Sequence, residues 1–70
     1  MNQAKVFADF HNADFLGRLR LNCTGTIKNL ARQKVLLQDD QNLILYNEDL
    51  EVDGVVEYSI EESIWVAVID

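Results

Sequence analysis

The chain has 70 residues, of which 12 are acidic and 6 are basic, so its net charge at neutral pH is -6. This length is below the usual domain size of about 100–150 residues, which excludes a second domain and predicts one domain over residues 1–70. The composition is 49% hydrophobic and 26% charged, which excludes a disordered chain. No apolar run reaches the roughly 18–20 residues that span a membrane, and the first ten residues lack the apolar stretch of a secretory signal.

The charges are divided unevenly along the chain. Residues 1–35 contain all six basic residues and two acids, whereas residues 36–70 contain ten acids and no base, which gives +4 and -10. If strands from the two halves lie side by side in a closed sheet, the opposite charges pair. If they do not, the protein has two faces of opposite sign, and the acidic face attracts a basic partner at low ionic strength. The net negative charge disfavours binding to nucleic acid.

Residues 4–10 predict a first strand, because their apolar side chains alternate with period two. Val6, Ala8 and Phe10 then point to the same side of this strand. Residues 11–17 are rich in asparagine, aspartate and glycine, which favour the backbone angles of a turn.

A second strand is predicted for residues 18–23, where apolar and polar side chains alternate cleanly. Leu19, Leu21 and Cys23 face inward in this pattern, which is typical of a half-buried antiparallel strand. The order strand, turn, strand favours a hairpin at the start of the chain.

The period then changes from two to that of a helix. Ile27, Leu30 and Ala31 share one side of a helix, so a short helix is predicted for residues 27–33. Thr26 stands just before this segment and is predicted to be its N-cap, because threonine accepts a hydrogen bond from the first free backbone N–H groups.

The middle of the chain predicts one further strand. Residues 35–37 resume extended structure and residues 39–41 form a turn. Residues 42–47 follow as a strand with apolar side chains on both faces. Residues 48–54 are predicted to be a polar connection that ends at Gly54, a residue suited to a positive φ angle.

The last sixteen residues predict a hairpin. Residues 55–59 and 64–69 are apolar and β-branched, and residues 60–63 form the loop between them. An even-numbered loop sets a single register, whereas an odd loop with a bulge would shift it. The predicted pairs are Tyr58 with Trp65, Glu57 with Val66, Val56 with Ala67, and Val55 with Val68.

Five to six short antiparallel strands and one short helix must close, or nearly close, to hide their edges. The predicted fold is therefore an all-β, SH3-like small barrel, with an OB-like barrel as the alternative. The strand over residues 64–69 carries no proline, lysine or arginine to protect its edge. We expect it to be central in its sheet, or to pair with a second copy in a homodimer that buries Trp65 and Ile69.

Several segments match a pattern found elsewhere. They are Ala8-Asp9-Phe10, Asn12-Ala13-Asp14, Arg18-Leu19-Arg20-Leu21-Asn22, Gly25-Thr26, Asp49-Leu50-Glu51-Val52-Asp53-Gly54 and Trp65-Val66-Ala67. Together they resemble a group of small bacterial proteins, often cyanobacterial, for which no function is established. The resemblance covers most of the chain and implies a cytoplasmic, stand-alone bacterial protein. It implies no catalytic or binding residue.

Metal ligands are poorly spaced in this sequence. Asp9, His11 and Asp14 offer one nitrogen and two oxygens within six residues, but a zinc site needs three or four well-spaced histidine or cysteine ligands. The acids of residues 48–53 lack the oxygen spacing and the final bidentate glutamate of a calcium loop. We therefore predict neither a metal nor a cofactor.

Cys23 is the only cysteine, which excludes a disulfide within the chain. With His11 as the only histidine, these two residues are the sole candidate pair for nucleophilic catalysis. The inward position of Cys23 on its predicted strand favours a small core residue instead. The three glycines are isolated and form no phosphate-binding loop. We predict that the protein is not an enzyme.

The predicted terminal hairpin is apolar on both faces, although a barrel wall buries only one of them. Either the helix or the opening hairpin covers the outer face, or this face binds a protein. In the second case tyrosine and tryptophan are the expected anchors, rimmed by glutamates that suit a basic or amphipathic partner. The predicted partner-binding residues are Tyr58, Trp65, Tyr46, Glu57, Glu61 and Glu62.

The alternative function belongs to a different class. A small β-barrel could bind nucleic acid through the basic residues of the first half of the chain, with an affinity that falls steeply with salt. The residues predicted for this role are Arg18, Arg20, Lys28 and Arg32.

Overall fold

The computed structural model describes residues 3–69 as five strands and one helix. These elements are β1 (Lys5–Phe7), β2 (Leu19–Arg20), α1 (Thr24–Gln33), β3 (Asn42–Tyr46), β4 (Glu51–Ser59) and β5 (Ile64–Ile69). The strands form one sheet in the order β1-β3-β4-β5-β2, which curves into a half-barrel. The prediction of a mostly-β domain with one short helix is confirmed. The prediction that all strands are antiparallel is wrong, because β1 runs parallel to β3.

The predicted opening hairpin does not form. β1 lies at one end of the sheet beside β3, and β2 lies at the other end beside β5. Parallel neighbours need a long crossover connection, and the chain between β1 and β3 supplies it. Both short strands bury their apolar residues, Val6 and Leu19, by pairing with longer central strands. The alternating pattern predicted which side chains face inward, but it carried no information about the neighbouring strand.

The β4–β5 hairpin has the predicted register. Tyr58 pairs with Trp65, and the three other predicted pairs are also present. The loop covers residues 60–63, as predicted. β5 lies between β4 and β2, so the prediction that this strand is central in its sheet is confirmed. Its backbone is therefore engaged within the chain, and the argument for a homodimer through an open β5 edge no longer applies.

Side chains of α1 cover the outer edge of β1. The Phe7 C=O accepts a hydrogen bond from Thr26 Oγ1 at 2.6 Å, and the Phe7 N–H donates to Asn29 Oδ1 at 3.4 Å. Two residues earlier, the Lys5 C=O accepts a hydrogen bond from Gln33 Nε2 at 2.6 Å. Positions 26, 29 and 33 lie on one side of a helix, so a single polar stripe satisfies the strand edge. An edge strand covered in this way does not offer its backbone to another chain.

The opposite edge of the sheet, at β2, is covered by the preceding loop. The Arg20 N–H donates to the Asn12 C=O at 2.9 Å, and the Asp14 N–H donates to the Arg18 C=O at 2.8 Å. These bonds continue the sheet by an isolated bridge between Ala13 and Leu19. Both outer strands of the sheet are thus shielded by residues of the same chain.

The helix begins three residues earlier than predicted. Its N-cap is Cys23 rather than Thr26, and the Cys23 side chain accepts no capping hydrogen bond from a backbone N–H of the first turn. Thr26 lies inside the helix and is fully buried, because its hydroxyl bonds across to β1. The helix ends at Gln33, and its C-cap Lys34 adopts a left-handed conformation with a φ angle of 57°. A tertiary contact therefore determined the role of the threonine.

The predicted connection over residues 48–54 is mostly strand, and Gly54 is not in a turn. β4 starts at Glu51, and a tight turn held by the Asn47 side chain precedes it. Gly54 lies within β4 on the core side, where a Cβ atom would stand 2.9 Å from Leu45 Cδ1. Close packing, and not a positive φ angle, thus requires glycine at this position. Residues 35–37 belong to no strand.

The core lies on the concave face of the sheet. Its fully or nearly fully buried members are Val6, Ala8, Leu19, Leu21, Leu43, Leu45, Val56 and Ala67. Half-buried apolar residues, including Leu30 of the helix and Trp65 of β5, pack around this cluster. No helix within residues 3–69 has the length and apolar content that crossing a membrane requires.

Candidate functional site

The aromatic residues of the terminal hairpin form a pair. The Tyr58 and Trp65 rings meet edge to face, with centroids 5.1 Å apart and planes at 78°. Trp65 is half-buried against the core, whereas Tyr58 is 42% exposed. The neighbouring loop residue Ile60 is 83% exposed. The structure thus places three large apolar side chains at the loop end of the β4–β5 hairpin.

The third predicted aromatic residue lies elsewhere. Tyr46 is on β3, where its ring packs edge to face against Phe7 at 5.9 Å between centroids. Its hydroxyl accepts a hydrogen bond from Asn29 Nδ2 at 3.5 Å. Tyr46 therefore joins the sheet to the helix and is not part of the Tyr58–Trp65 pair.

The three predicted rim glutamates do not surround the aromatic pair. Glu57 points to the opposite face of β4 from Tyr58, because successive side chains of a strand alternate. Arg18 Nη1 donates to Glu57 Oε1 at 3.2 Å, and Arg18 Nη2 lies 3.7 Å from Glu61 Oε1. Arg20 donates to both carboxylate oxygens of Glu62, at 2.7 and 2.8 Å. These glutamates form ion pairs with two of the arginines predicted to bind nucleic acid.

Asp14 completes this charged cluster. Its side chain is 1% exposed and accepts hydrogen bonds from the Leu16 N–H, the Arg18 N–H and Arg18 Nε, each at 2.8–2.9 Å. Burial raises the pKa of Asp14, but the hydrogen bonds from Arg18 and Leu16 outweigh it and lower this pKa below its usual value. The hydrogen bond from Arg20 likewise lowers the pKa of Glu62, against the opposing effect of burial.

The charged cluster covers part of the face of the β4–β5 hairpin that points away from the core. Val66 of β5 pairs with Glu57 on one side and with Arg20 on the other. These three side chains form a row across the sheet, and Val66 is fully buried. Because Val56 and Ala67 are buried on the concave face, the hairpin buries apolar residues on both faces. Pairing of opposite charges between the two halves of the chain is thus observed between Arg18 and Arg20 and the glutamates of β4 and the β4–β5 loop.

The lowered pKa values predict how stability depends on pH. A carboxyl group whose pKa is lower in the folded than in the unfolded protein stabilises the fold above its unfolded pKa, which is about 3.9 for aspartate and 4.3 for glutamate. That contribution is lost as the pH falls through the folded-state pKa. We therefore expect the free energy of unfolding to be level from pH 7 to about 5 and to decline below about pH 4.

The variant Asp14→Asn tests the source of this decline. We expect it to be less stable than the wild type at pH 7, with a shallower loss of stability in acid, as measured by urea unfolding at a series of pH values. The matched control is Asp49→Asn, since Asp49 is exposed on a turn. An acid decline equally steep in both variants would contradict a role for Asp14.

Acidic residues that the sequence did not assign to the site lie beside the aromatic pair. The Tyr58 N–H donates to Asp39 Oδ1 at 3.0 Å, and the Asp40 N–H donates to the Val56 C=O at 2.8 Å. Both aspartates are exposed, and within residues 3–69 neither forms an ion pair. The turn over residues 39–41 was predicted, but only the pairing of β3 with β4 brings it next to Tyr58.

The other two residues predicted for nucleic acid, Lys28 and Arg32, lie on α1. Both are exposed, as is Lys34 at the end of the helix. No carboxylate of the described residues lies within ion-pair distance of these three side chains. The structure therefore separates the four predicted basic residues into an engaged pair on β2 and an available pair on the helix.

The residues considered for metal binding and catalysis form no cluster. Within residues 3–69 no three histidine, cysteine or acidic side chains are placed to hold a metal ion, and no cavity is present. His11 is exposed, and its backbone N–H donates to Asp9 Oδ1. Cys23 is half-buried with its Sγ 2.9 Å from Thr26 Oγ1, at the start of the helix rather than on a strand.

Comparison with known proteins found no family model, no curated protein and no solved structure that matches this chain. The resemblance to small bacterial proteins therefore stays a prediction. The proposals below depend on the contacts and charges just described.

Proposed function

We propose that the protein is a non-catalytic protein-interaction module that binds a basic, partly apolar segment of a partner. The contact surface, called the aromatic end, consists of Asp39, Asp40, Tyr58, Ile60 and Trp65. The observation that carries the proposal is the exposure of Tyr58 beside the 83% exposed Ile60, with the tyrosine ring held against Trp65. Large apolar side chains exposed together are typical of a binding surface.

The aromatic end is preorganised. Trp65 packs against the core and supports the Tyr58 ring, while the Tyr58 backbone is bonded to Asp39. Tyrosine and tryptophan are the residues most often found as interface anchors, because they bury much area and have few rotatable bonds. A surface already held in its binding geometry loses little conformational entropy when a partner docks.

The charge of the aromatic end determines the chemistry of the partner. Asp39 and Asp40 supply unpaired negative charge, whereas Glu57, Glu61 and Glu62 form ion pairs with arginines on the other face. The acidic rim proposed for the site thus comes from the turn before β3. Such a rim favours a basic segment and makes association depend on salt.

The half-barrel fold and the small size of the domain agree with a role in binding a partner segment. Small half-open or closed barrels of the SH3-like and OB-like kinds serve as platforms for peptide and oligomer binding. We propose that this half-barrel works in the same way, in the cytoplasm of a bacterium, as the resemblance implies.

The test is co-purification of a partner with the tagged chain from the native organism, followed by titration of the purified partner. We expect Tyr58→Ala to weaken binding about thirtyfold, the loss typical of an interface anchor. The matched control is Phe15→Ala, since Phe15 is 80% exposed but lies on a different loop. Equal binding by both variants would contradict the proposed surface.

A second pair of variants tests the charge. Asp39→Asn with Asp40→Asn removes two charges, keeps the acceptor for the Tyr58 N–H, and keeps a residue type that tolerates the positive φ angle of residue 40. We expect weaker binding and a smaller salt dependence. The control replaces Glu48 and Asp49 by their amides, which removes the same charge from another turn. If the control variant reduced the salt dependence of partner binding and the variant of Asp39 and Asp40 did not, the acidic rim would be refuted.

A second candidate function is binding to single-stranded nucleic acid through α1. It is supported by the exposed and unpaired side chains of Lys28 and Arg32, whereas Arg18 and Arg20 are held by carboxylates. Fluorescence anisotropy with single-stranded DNA and RNA at low salt tests it. Binding that falls steeply with salt and is lost in Lys28→Ala with Arg32→Ala would support this function. No binding at low salt would dismiss it.

A further inference from the structure

Besides the aromatic end, residues 3–69 present two surfaces of opposite charge whose charged side chains form no ion pair, and we propose that these two surfaces bind each other between copies. In this arrangement the free side of α1 in one copy docks on the β3–β4 turn of the next. Neither surface includes a residue of the aromatic end, so association between copies does not depend on partner binding there.

The first surface, called the basic face, consists of Ile27, Lys28, Arg32 and Lys34. The polar stripe of α1 is engaged with β1, so the basic side chains occupy what remains of the helix surface. The helix contains no acidic residue. Ile27 is 54% exposed and adds an apolar contact among the basic side chains.

The second surface, called the acidic turn, consists of Glu48, Asp49, Leu50 and Asp53. The turn is held in shape, because Asn47 Oδ1 accepts hydrogen bonds from the N–H groups of Asp49 and Leu50 at 2.8 and 2.7 Å. Leu50 is 50% exposed between acidic neighbours. Within residues 3–69, none of these acids forms an ion pair.

Charge complementarity identifies the occupant. Lys5, Arg18 and Arg20 are already paired within the chain, so among residues 3–69 the basic face carries the lysine and arginine side chains that remain available. Its counterpart needs negative charge around an aliphatic side chain, and the acidic turn of a second copy has both. A nucleic acid is a poorer fit, since the net charge of -6 repels a polyanion. At about 0.1 M salt, screening over about 10 Å weakens that net repulsion between copies but spares charges in contact.

The geometry of such a contact predicts its stoichiometry. The two surfaces differ, so the interface is heterologous, and a pair of copies retains one free basic face and one free acidic turn. Association therefore does not stop at a dimer unless a ring closes. We expect the average mass in sedimentation equilibrium at about 0.1 M salt to rise steadily with concentration, and to return to that of a single chain at about 1 M salt.

Charge reversal provides the decisive experiment. One variant carries Lys28→Glu with Arg32→Glu, and the other carries Glu48→Lys with Asp49→Lys. We expect each variant alone to sediment as a single chain at concentrations where the wild type associates. An equimolar mixture should associate again, because two contacts become complementary. The unaltered basic face of the second variant meets the unaltered acidic turn of the first, and the acidic helix of the first meets the basic turn of the second. Both variants keep a net negative charge, so a general attraction between them cannot produce this result.

Three outcomes would overturn the proposal. The first is a wild type that stays a single chain up to millimolar concentration at about 0.1 M salt. The second is a wild type whose association is unchanged by either charge reversal, which would place the contact elsewhere. The third is a mixture of the two variants that does not associate although circular dichroism shows that both are folded.

Discussion

Replacing Leu45 by alanine is expected to lower the free energy of unfolding by about 2–5 kcal/mol, the cost of truncating a buried leucine. Leu45 is fully buried in the middle of β3. Its side chain fills the space beside Gly54, which has no side chain of its own to move into the cavity. Urea unfolding followed by the fluorescence of Trp65, the only tryptophan, measures the effect.

The next residue along the strand is the matched control. Ile44 points to the opposite face of β3 and is half-buried, so Ile44→Ala should cost less than half as much. Globular domains are stable by roughly 0.05–0.15 kcal/mol per residue, so the loss at Leu45 is a large fraction of the stability of this chain. Equal losses for the two variants would contradict the assignment of the concave face as the core.

The second large effect is expected from Thr26→Val, which keeps the shape of the side chain but removes its hydroxyl. The Phe7 C=O then loses the donor that satisfies it at the edge of β1. A buried backbone acceptor left without a partner costs about 1–3 kcal/mol. We expect that loss in urea unfolding, together with faster hydrogen exchange of the amides of β1.

Thr24→Val is the control for this prediction, because Thr24 is an exposed threonine in the same helical turn. Its effect should stay within about 0.5 kcal/mol, as is usual for surface substitutions. If the two variants were equally stable, the hydrogen bond of the Thr26 hydroxyl would not stabilise the fold. The edge of β1 would then be held by Asn29 and Gln33 of the same helix.

The distribution of charge in the sequence acquires a structural explanation at β2. The chain carries its bases first and its acids last, and the sheet places β2 directly beside β5. Arg18, just before β2, and Arg20, within it, therefore meet the glutamates of the terminal hairpin. What remains unpaired is the basic side of α1 and the acids of the turns, and these surfaces carry the proposals made above.

Local pattern was sufficient for the terminal hairpin. Two β-branched segments separated by a four-residue loop can pair in few ways, so the pairing of Tyr58 with Trp65 followed from the spacing alone. The inward positions of Val6, Ala8, Leu19 and Leu21 followed from alternation with period two. Each of these features depends on residues that are close in the sequence.

Long-range pairing decided the rest. The parallel pairing of β1 with β3, the hydroxyl contact of Thr26 and the ion pair of Glu57 with Arg18 all join residues at least 19 positions apart. The alternating pattern assigns each side chain to a face of its strand, but it does not predict which strand is adjacent or which charged residues that neighbouring strand carries. For this reason the sequence did not predict that the glutamates lie on the opposite face from Tyr58. Asp39 and Asp40 lie beside the aromatic pair because β3 pairs with β4.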